Sequence, residues 1–308
     1  FKHHTMISVP ERKLLIKATS SGTSGNKSMV GLDFQTLFAG LGMVLAVSRT
    51  HKLLSAIPCH YIILGYEYNR HASMAVAKTA YGYTWFAPAL SRTYALAYNR
   101  GTYSLRLDHI KQKLIRLSHQ PFPVRIMGFP FHAYWLLSQM KEEGIHLKLP
   151  KGSLIAFGGG WKQHASQKTD KKTMYRLIYD VLGIKEDNCL EFFGAVEHPI
   201  LYCACSKHHF HVPIYSRVII RDVDTLEPVP DGTPGLVNLV TPMIHSAPLV
   251  SIMTDDLGIL HRNCDCGIQT PYLELLGRVG MEDITTCAAG AEQLMRTILE
   301  GENKNDSF

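Results

Sequence analysis

The chain has 308 residues, 46% of them hydrophobic and 19% charged, enough to bury a large core in one large domain or two moderate ones and too apolar for a disordered chain. No apolar run reaches the roughly 18 residues of a membrane span and no leader-like amino terminus stands out, so a soluble, cytoplasmic protein is expected. The net charge of +6 comes from scattered Lys and Arg, which argues against a nucleic-acid partner and for an anionic small-molecule substrate.

In chain order, the apolar run KLLIK (Lys13–Lys17) leads into ATSSGTSGNKS (Ala18–Ser28), dense in hydroxyls and glycine. This is not the Walker pattern G-x-x-x-x-G-K-[ST], because only two residues separate Gly22 from Gly25 and Asn26 precedes Lys27. Its hydroxyls, flexible backbone N–H groups and single cation suit either an anion-binding nest or a plain turn. Residues 32–54 read as a helix. HYIILGY (His60–Tyr66), VRIMGFP (Val124–Pro130), GSLIAFGGG (Gly152–Gly160) and NCLEFFG (Asn188–Gly194) read as buried strands ending in glycine turns. Helical periodicity covers 105–120, 131–145 and 171–184. The alternation predicts an α/β fold, mostly parallel sheet flanked by helices, with its chemistry at the carboxyl ends of the strands. From about His211 onward, short β runs with turn signals predict a small antiparallel β region, and a last helical segment after Gly277 ends in the polar tail Gly301–Phe308.

Seven cysteines are too few for a disulfide scaffold at this length. Cys203/Cys205 and Cys264/Cys266 form two C-x-C pairs, and His208, His209 and His211 follow the first of them. Soft thiolates beside imidazoles indicate a structural zinc site. Cys59 and Cys189 lie in apolar runs and read as core. Cys287, ahead of AAGAEQLM, reads from its neighbours alone as a small buried hydrophobe.

Four groups of residues occur in an order that resembles the signature motifs of the adenylate-forming superfamily, whose members activate carboxylates with ATP. They are Ser21-Gly22-Thr23-Ser24-Gly25 with Lys27, FFGAVE (Phe192–Glu197), Thr254 and Asp256 in MTDDLGIL, and Gly277-Arg278. Within the superfamily, GFPF (Gly128–Phe131), FGGGWK (Phe157–Lys162), HFHVPIYSRVIIRD (His209–Asp222) and TTCAAGAE (Thr285–Glu292) are similar to the acyl-protein synthetases of the LuxE family. The resemblance implies an adenylate-forming large domain over 1–277, with a zinc clip around 203–211 and 264–266, and a strongly reduced carboxy-terminal segment over 278–308. It also implies ATP and Mg²⁺ as cofactors, a fatty acid as substrate, and transfer of the acyl group to Cys287 as a thioester for an acyl-protein or acyl-CoA reductase.

By the same resemblance, Ser21, Gly22, Thr23, Ser24, Gly25 and Lys27 would hold phosphates and Glu197 a Mg²⁺ ion. Phe193 and Gly194 would flank the adenine, Gly158, Gly159 and Gly160 would approach the nucleotide, Asp256 would bind the ribose, and Arg278 the ribose or phosphate. Cys287, Glu197 and Lys27 would be catalytic. Asp255 stands where most of the superfamily have glycine and is the alternative ribose ligand. Phe193 reads equally well as core packing, and the glycine run as a plain turn. The phenylacetate-CoA-ligase branch carries a comparable clip, which implies Cys205, His211, Cys264 and Cys266 as zinc ligands, with Cys203 and His209 as substitutes. Two further functions fit the chain: an acyl- or aryl-CoA ligase of that branch with Cys287 inert, and a non-catalytic docking subunit that keeps the fold and the clip.

Overall fold

A computed structural model describes residues 6–19, 29–51, 53–69, 75–99, 102–159 and 170–278. They fall into two compact units, one holding the residues up to Leu53 and from Glu191 on, the other Leu54–Leu190.

The first unit begins with β1 (Leu14–Thr19) and β2 (Met29–Asp33), paired antiparallel, and α1 (Phe34–Thr50) follows without a break. Asp33 makes that junction: its backbone is extended and its Oδ1 accepts the Thr36 N–H at 2.9 Å, satisfying a helix-end donor. Its Oδ2 lies 2.6 Å from His245 Nδ1, and Ser246 Oγ donates to the Gly31 carbonyl at 2.7 Å, so the helix start is tied to the 245–246 loop. Burial alone would raise the Asp33 carboxyl, but hydrogen bonds from the Thr36 side chain and backbone and from His245 outweigh it and hold the group at about 2. A carboxyl held below its ordinary value contributes stability that is complete above that value and is lost as pH falls toward 2. Urea melts at pH 4.5 and 2.5 are therefore expected to show a larger loss in the native protein than in Asp33→Asn, and equal losses would remove the carboxylate from this role.

The second unit contains β3 (Cys59–Tyr66), α2 (Ala75–Tyr83), β4 (Ala89–Asn99), β5 (Thr102–Leu105), α3 (Leu107–Ser118), β6 (Val124–Gly128), α4 (Pro130–Glu142), β7 (Leu154–Gly158) and α5 (Lys171–Leu182). Its strands run in the order β5-β4-β3-β6-β7, parallel except for the edge strand β5. The apolar runs became the central strands because both faces are covered: Ile62, Leu64, Ile126 and Ile155 join one core with Ile110 and Leu114 of α3, Leu136 and Met140 of α4, and Ile178 and Val181 of α5, while Tyr61, Ile63 and Ala156, at the alternate positions, are buried too. β3 and β6 lie so close that a Cβ on Gly128 would be 2.5 Å from Leu64 Cβ and 2.8 Å from the Leu64 carbonyl oxygen, which leaves only glycine at that strand end. The chain order reverses between β3 and β6, the kind of point at which open α/β sheets place ligands.

The chain returns to the first unit through β8 (Cys189–Ala195), then β9 (His198–Cys203), β10 (Phe210–His211), β11 (Arg217–Arg221), β12 (Gly235–Val240), β13 (Ser251–His261) and β14 (Tyr272–Arg278). β10-β14-β13-β12-β11 form an antiparallel sheet, as the turn-rich sequence predicts. α1 packs Met43 toward β9, with Met43 Sδ accepting the Leu201 N–H at 3.4 Å. Its other side is also apolar, with Phe34, Phe38, Leu41 and Leu45 exposed.

The structure adds elements that the periodicity did not predict: β1, β2, α2, β4 and β5. It also pairs β8 antiparallel with β9, a strand to which the sequence reading assigned no element. Among the described residues no helix is long and apolar enough to cross a membrane.

Candidate active site and metal centre

Glu197 and its neighbours are set by a tight hairpin. Ala195 of β8 pairs with His198 of β9, so Val196 and Glu197 alone form the turn and the half-buried Glu197 carboxylate sits at its tip. Phe193 packs its ring 5.5 Å from that of Tyr202 and 5.9 Å from that of Phe210, both ordinary tilted aromatic contacts. The core-packing reading of Phe193 is thereby satisfied in this structure, alongside any contact with a ring. Gly194 is exposed, and a Cβ there would come within 3.0 Å of the Ile200 carbonyl oxygen across the hairpin.

Asp255 and Asp256 are separated by strand alternation. Both lie on β13, where successive side chains face opposite sides, and Asp255 is exposed while Asp256 is 8% exposed. Only one of them can face a ligand from a given side. Asp256 shares its side with Thr254, whose Oγ1 accepts the Asp256 N–H at 3.2 Å and donates to the Val237 carbonyl at 3.1 Å. Across the ladder, Asp256 pairs with Arg278 and Leu257 with Gly277, so the Gly-Arg motif forms the last residues of β14.

In the second unit, Gly158 closes β7, where a Cβ would meet only the Met127 methyl, at 4.0 Å. Gly159 has φ +79 and a would-be Cβ 3.1 Å from the Phe129 ring, so both conformation and space require glycine there. A shallow apolar depression lined by Leu54, Trp85, Phe86 and Arg92 lies at the amino ends of β3 and β4, opposite the strand ends where the chemistry of such sheets is found. Ser21, Gly22, Thr23, Ser24, Gly25, Lys27, Gly160 and Cys287 lie outside the described residues, as does the side chain of Arg278.

The ligand atoms of Cys205, His211, Cys264 and Cys266 all lie within 4.8 Å of one another. Cys205 Sγ and Cys264 Sγ are 3.8 Å apart, too far for a disulfide and close to the edge of a tetrahedron with metal–sulfur bonds of about 2.3 Å. His211 Nδ1 donates to the Thr270 carbonyl at 2.8 Å, which turns the Nε2 lone pair toward Cys266 Sγ at 3.2 Å. Burial lowers the His211 pKa and favours the neutral, ligating ring. Backbone amides point at two sulfurs, Lys207 N–H to Cys205 at 3.3 Å and Ile268 N–H to Cys266 at 3.4 Å, an arrangement that stabilises thiolates. The residues fit a soft divalent metal.

The two substitutes considered from sequence part company here. The chain turns after Ala204, with the Cys205 N–H bonded to the His209 carbonyl and His208 in the left-handed region at φ 59, and this turn leaves Cys203 in the buried strand. Burial pushes the Cys203 thiol well above its ordinary range. His209 Nδ1 lies 3.2 Å from Cys264 Sγ while its ring stacks flat on Tyr272 at 4.0 Å, and His261 stacks on Tyr272 at 4.8 Å. His209 thus supports the ligand set from outside. Its stacking on a tyrosine more than sixty residues away left no local sequence signal.

The family model of the acyl-protein synthetases, LuxE, matches residues 1–295. The chain belongs to the LuxE family. Two long-chain-fatty-acid–luciferin-component ligases are similar to it. That of Vibrio harveyi is 23% identical over 308 residues, 98% of this chain and 78% of the relative, and that of Aliivibrio fischeri is 25% identical over 267 residues, 84% of this chain and 67% of the relative. The family and both relatives carry the names of ligases, in line with the ligase expected from the motifs. Among solved structures, a 2-hydroxyisobutyryl-CoA ligase in complex with 2-HIB-AMP and CoA matches 88% of the chain with a TM-score of 0.62 at 16% identity. An ATP-bound MatB from Rhodopseudomonas palustris also matches 88%, with a TM-score of 0.54 at 16% identity. These likenesses establish the adenylate-forming fold, and the chain spans 59% and 49% of those two ligases' lengths.

Proposed function

We propose that this LuxE-family protein activates a long-chain fatty acid with ATP and carries the acyl group on Cys287, for delivery to an acyl-protein or acyl-CoA reductase in the cytoplasm. The observation that carries this reading is the family match over 1–295, which takes in every motif from the candidate phosphate loop to Cys287. The two relatives' names support a long-chain fatty acid as the substrate.

In the first step a carboxylate oxygen of the acid attacks the α-phosphorus, a C–O–P linkage forms and pyrophosphate leaves. Two anions must be brought together, so donors and cations carry the catalysis. The hydroxyls of Ser21, Thr23 and Ser24 with Lys27 hold the phosphates, and Asp256 accepts hydrogen bonds from ribose hydroxyls. Glu197 is the residue that would hold Mg²⁺, which when bound neutralises phosphate charge. In the second step the Cys287 thiolate attacks the acyl carbonyl carbon, a C–S bond forms, and AMP leaves with the former carboxylate oxygen. Zinc is the metal that suits the Cys205, His211, Cys264 and Cys266 set, in a structural capacity with no open position.

Purified protein given ATP, Mg²⁺ and labelled fatty acid, without CoA, is expected to acquire hydroxylamine-labile label. Cys287→Ala should lose that label and keep fatty-acid-dependent pyrophosphate exchange. Label that persists in Cys287→Ala, or acyl-CoA as product with no labelled protein, would overturn acyl carriage in favour of a CoA ligase. No exchange from well-folded native protein would leave the docking-subunit reading.

A further inference from the structure

Glu197 is followed by a residue whose side chain is wholly enclosed. His198 is 0% exposed, and its Nε2 lies 3.1 Å from Tyr202 Oη and 3.2 Å from Ser216 Oγ, which are themselves 2.6 Å apart. Ser216 Oγ also donates to the Val240 carbonyl at 3.1 Å. Proton counting settles the directions. The serine has one proton and a carbonyl can only accept, so that proton goes to Val240; Tyr202 then donates to Ser216, and His198 donates from Nε2 to the hydroxyl pair. Burial supports this by keeping the ring neutral, its pKa lowered to about 4.

The chain of bonds joins two parts of the candidate site. At one end, His198 closes the turn that carries Glu197. At the other, Val240 ends β12 and pairs with Ser251 of β13, the strand that presents Thr254 and Asp256. A packed apolar junction would hold the hairpin to the sheet about as strongly, but a connected set of hydrogen bonds allows one geometry only.

The geometry points to His198, Tyr202 and Ser216 as positioning residues that fix the Glu197 turn relative to β13, so that the metal-holding and ribose-holding carboxylates keep one spacing while ATP is bound. This rests on the adenylation reading of Glu197 and Asp256 given above.

Tyr202→Phe and Ser216→Ala each remove one hydroxyl, while Ser216→Thr keeps it. Two measurements apply to each: deuterium exchange of the backbone amides at 195–198, and the KM values for Mg·ATP and for fatty acid in pyrophosphate exchange. One lost hydrogen bond of ordinary strength should speed exchange at the turn by about tenfold and raise the KM for Mg·ATP by about tenfold, with the fatty-acid KM unchanged. Ser216→Thr should restore both toward the native values, which a purely structural loss of packing would not do. Turn exchange at the native rate in both Tyr202→Phe and Ser216→Ala would overturn the proposal, as would a fatty-acid KM that rises with that for Mg·ATP. If the native protein catalyses no pyrophosphate exchange, the adenylation reading falls by that result, and the deuterium measurement still decides whether these residues hold the turn.

Discussion

Replacing Cys264 and Cys266 together by Ser is expected to abolish metal binding and to unfold the clip formed by residues 205–211 and 262–270, beyond any loss of activity. The reason lies in how little else holds it. β10 has only two residues, Phe210 and His211, paired to Leu273 and Tyr272, and the segments 205–209 and 262–270 have few apolar residues to bury. In small zinc domains the metal supplies on the order of 10–16 kcal/mol of apparent binding free energy that is also folding free energy. Even a modest fraction of this exceeds what the two-residue strand can offer. Protein purified intact should contain about one zinc per chain by atomic absorption, and a strong chelator should lower its urea midpoint as the double variant does. Cys203→Ala should keep the metal, because its sulfur stays in the buried strand, and His209→Ala should weaken binding by about 10- to 100-fold without abolishing it. A metal-free protein with native stability, or loss of metal in Cys203→Ala, would dismiss the four-ligand assignment.

Glu197→Gln is expected to reduce fatty-acid-dependent pyrophosphate exchange by about 10²- to 10³-fold while zinc content and urea midpoint remain native. The substitution keeps the size of the side chain and the hairpin turn, and removes only the charge that a hard cation requires. Raising Mg²⁺ should recover part of the lost rate, since weakened binding can be offset by concentration. Asp256→Asn should differ in kind, raising the KM for ATP with little Mg²⁺ dependence. Native exchange rates in Glu197→Gln at every Mg²⁺ concentration would remove the residue from the site and leave the turn as a plain connection.

Much of this arrangement was legible because the physics behind it is local. β3, β6 and β7 are continuous apolar runs that end in glycine, as strands covered on both faces must be, and α3 and α5 carry an evident one-sided apolar period. A Cys/His clip is legible from residue type and spacing, whereas the choice of Cys205, His211, Cys264 and Cys266 within it follows from the resemblance, and these four are the residues the structure brings together. What was missed depends on partners distant in sequence. β4 reads ALSRTYALAYN, with polar residues interleaved because its first half is only partly covered, and that pattern resembles a loop until β3 is beside it. Cys203 and Cys205 are equivalent in a C-x-C count and become distinct only where the chain turns after Ala204. The resemblance puts Asp256 first as the ribose ligand with Asp255 as the alternative, and β13 gives the two opposite faces. The residues behind Glu197 were invisible for the same reason, since Ser216 is eighteen positions from His198.

Tyr272, held flat between His209 and His261, gives the protein an optical signal of its own. One histidine of the pair lies 3.2 Å from the sulfur of Cys264 and the other is hydrogen-bonded to Glu274 at 2.8 Å, so a metal held by the Cys205, His211, Cys264 and Cys266 set would alter the electronic surroundings of the phenol. Its near-ultraviolet absorption and the ring-current shifts of the two imidazoles can then follow metal exchange in solution without an added dye.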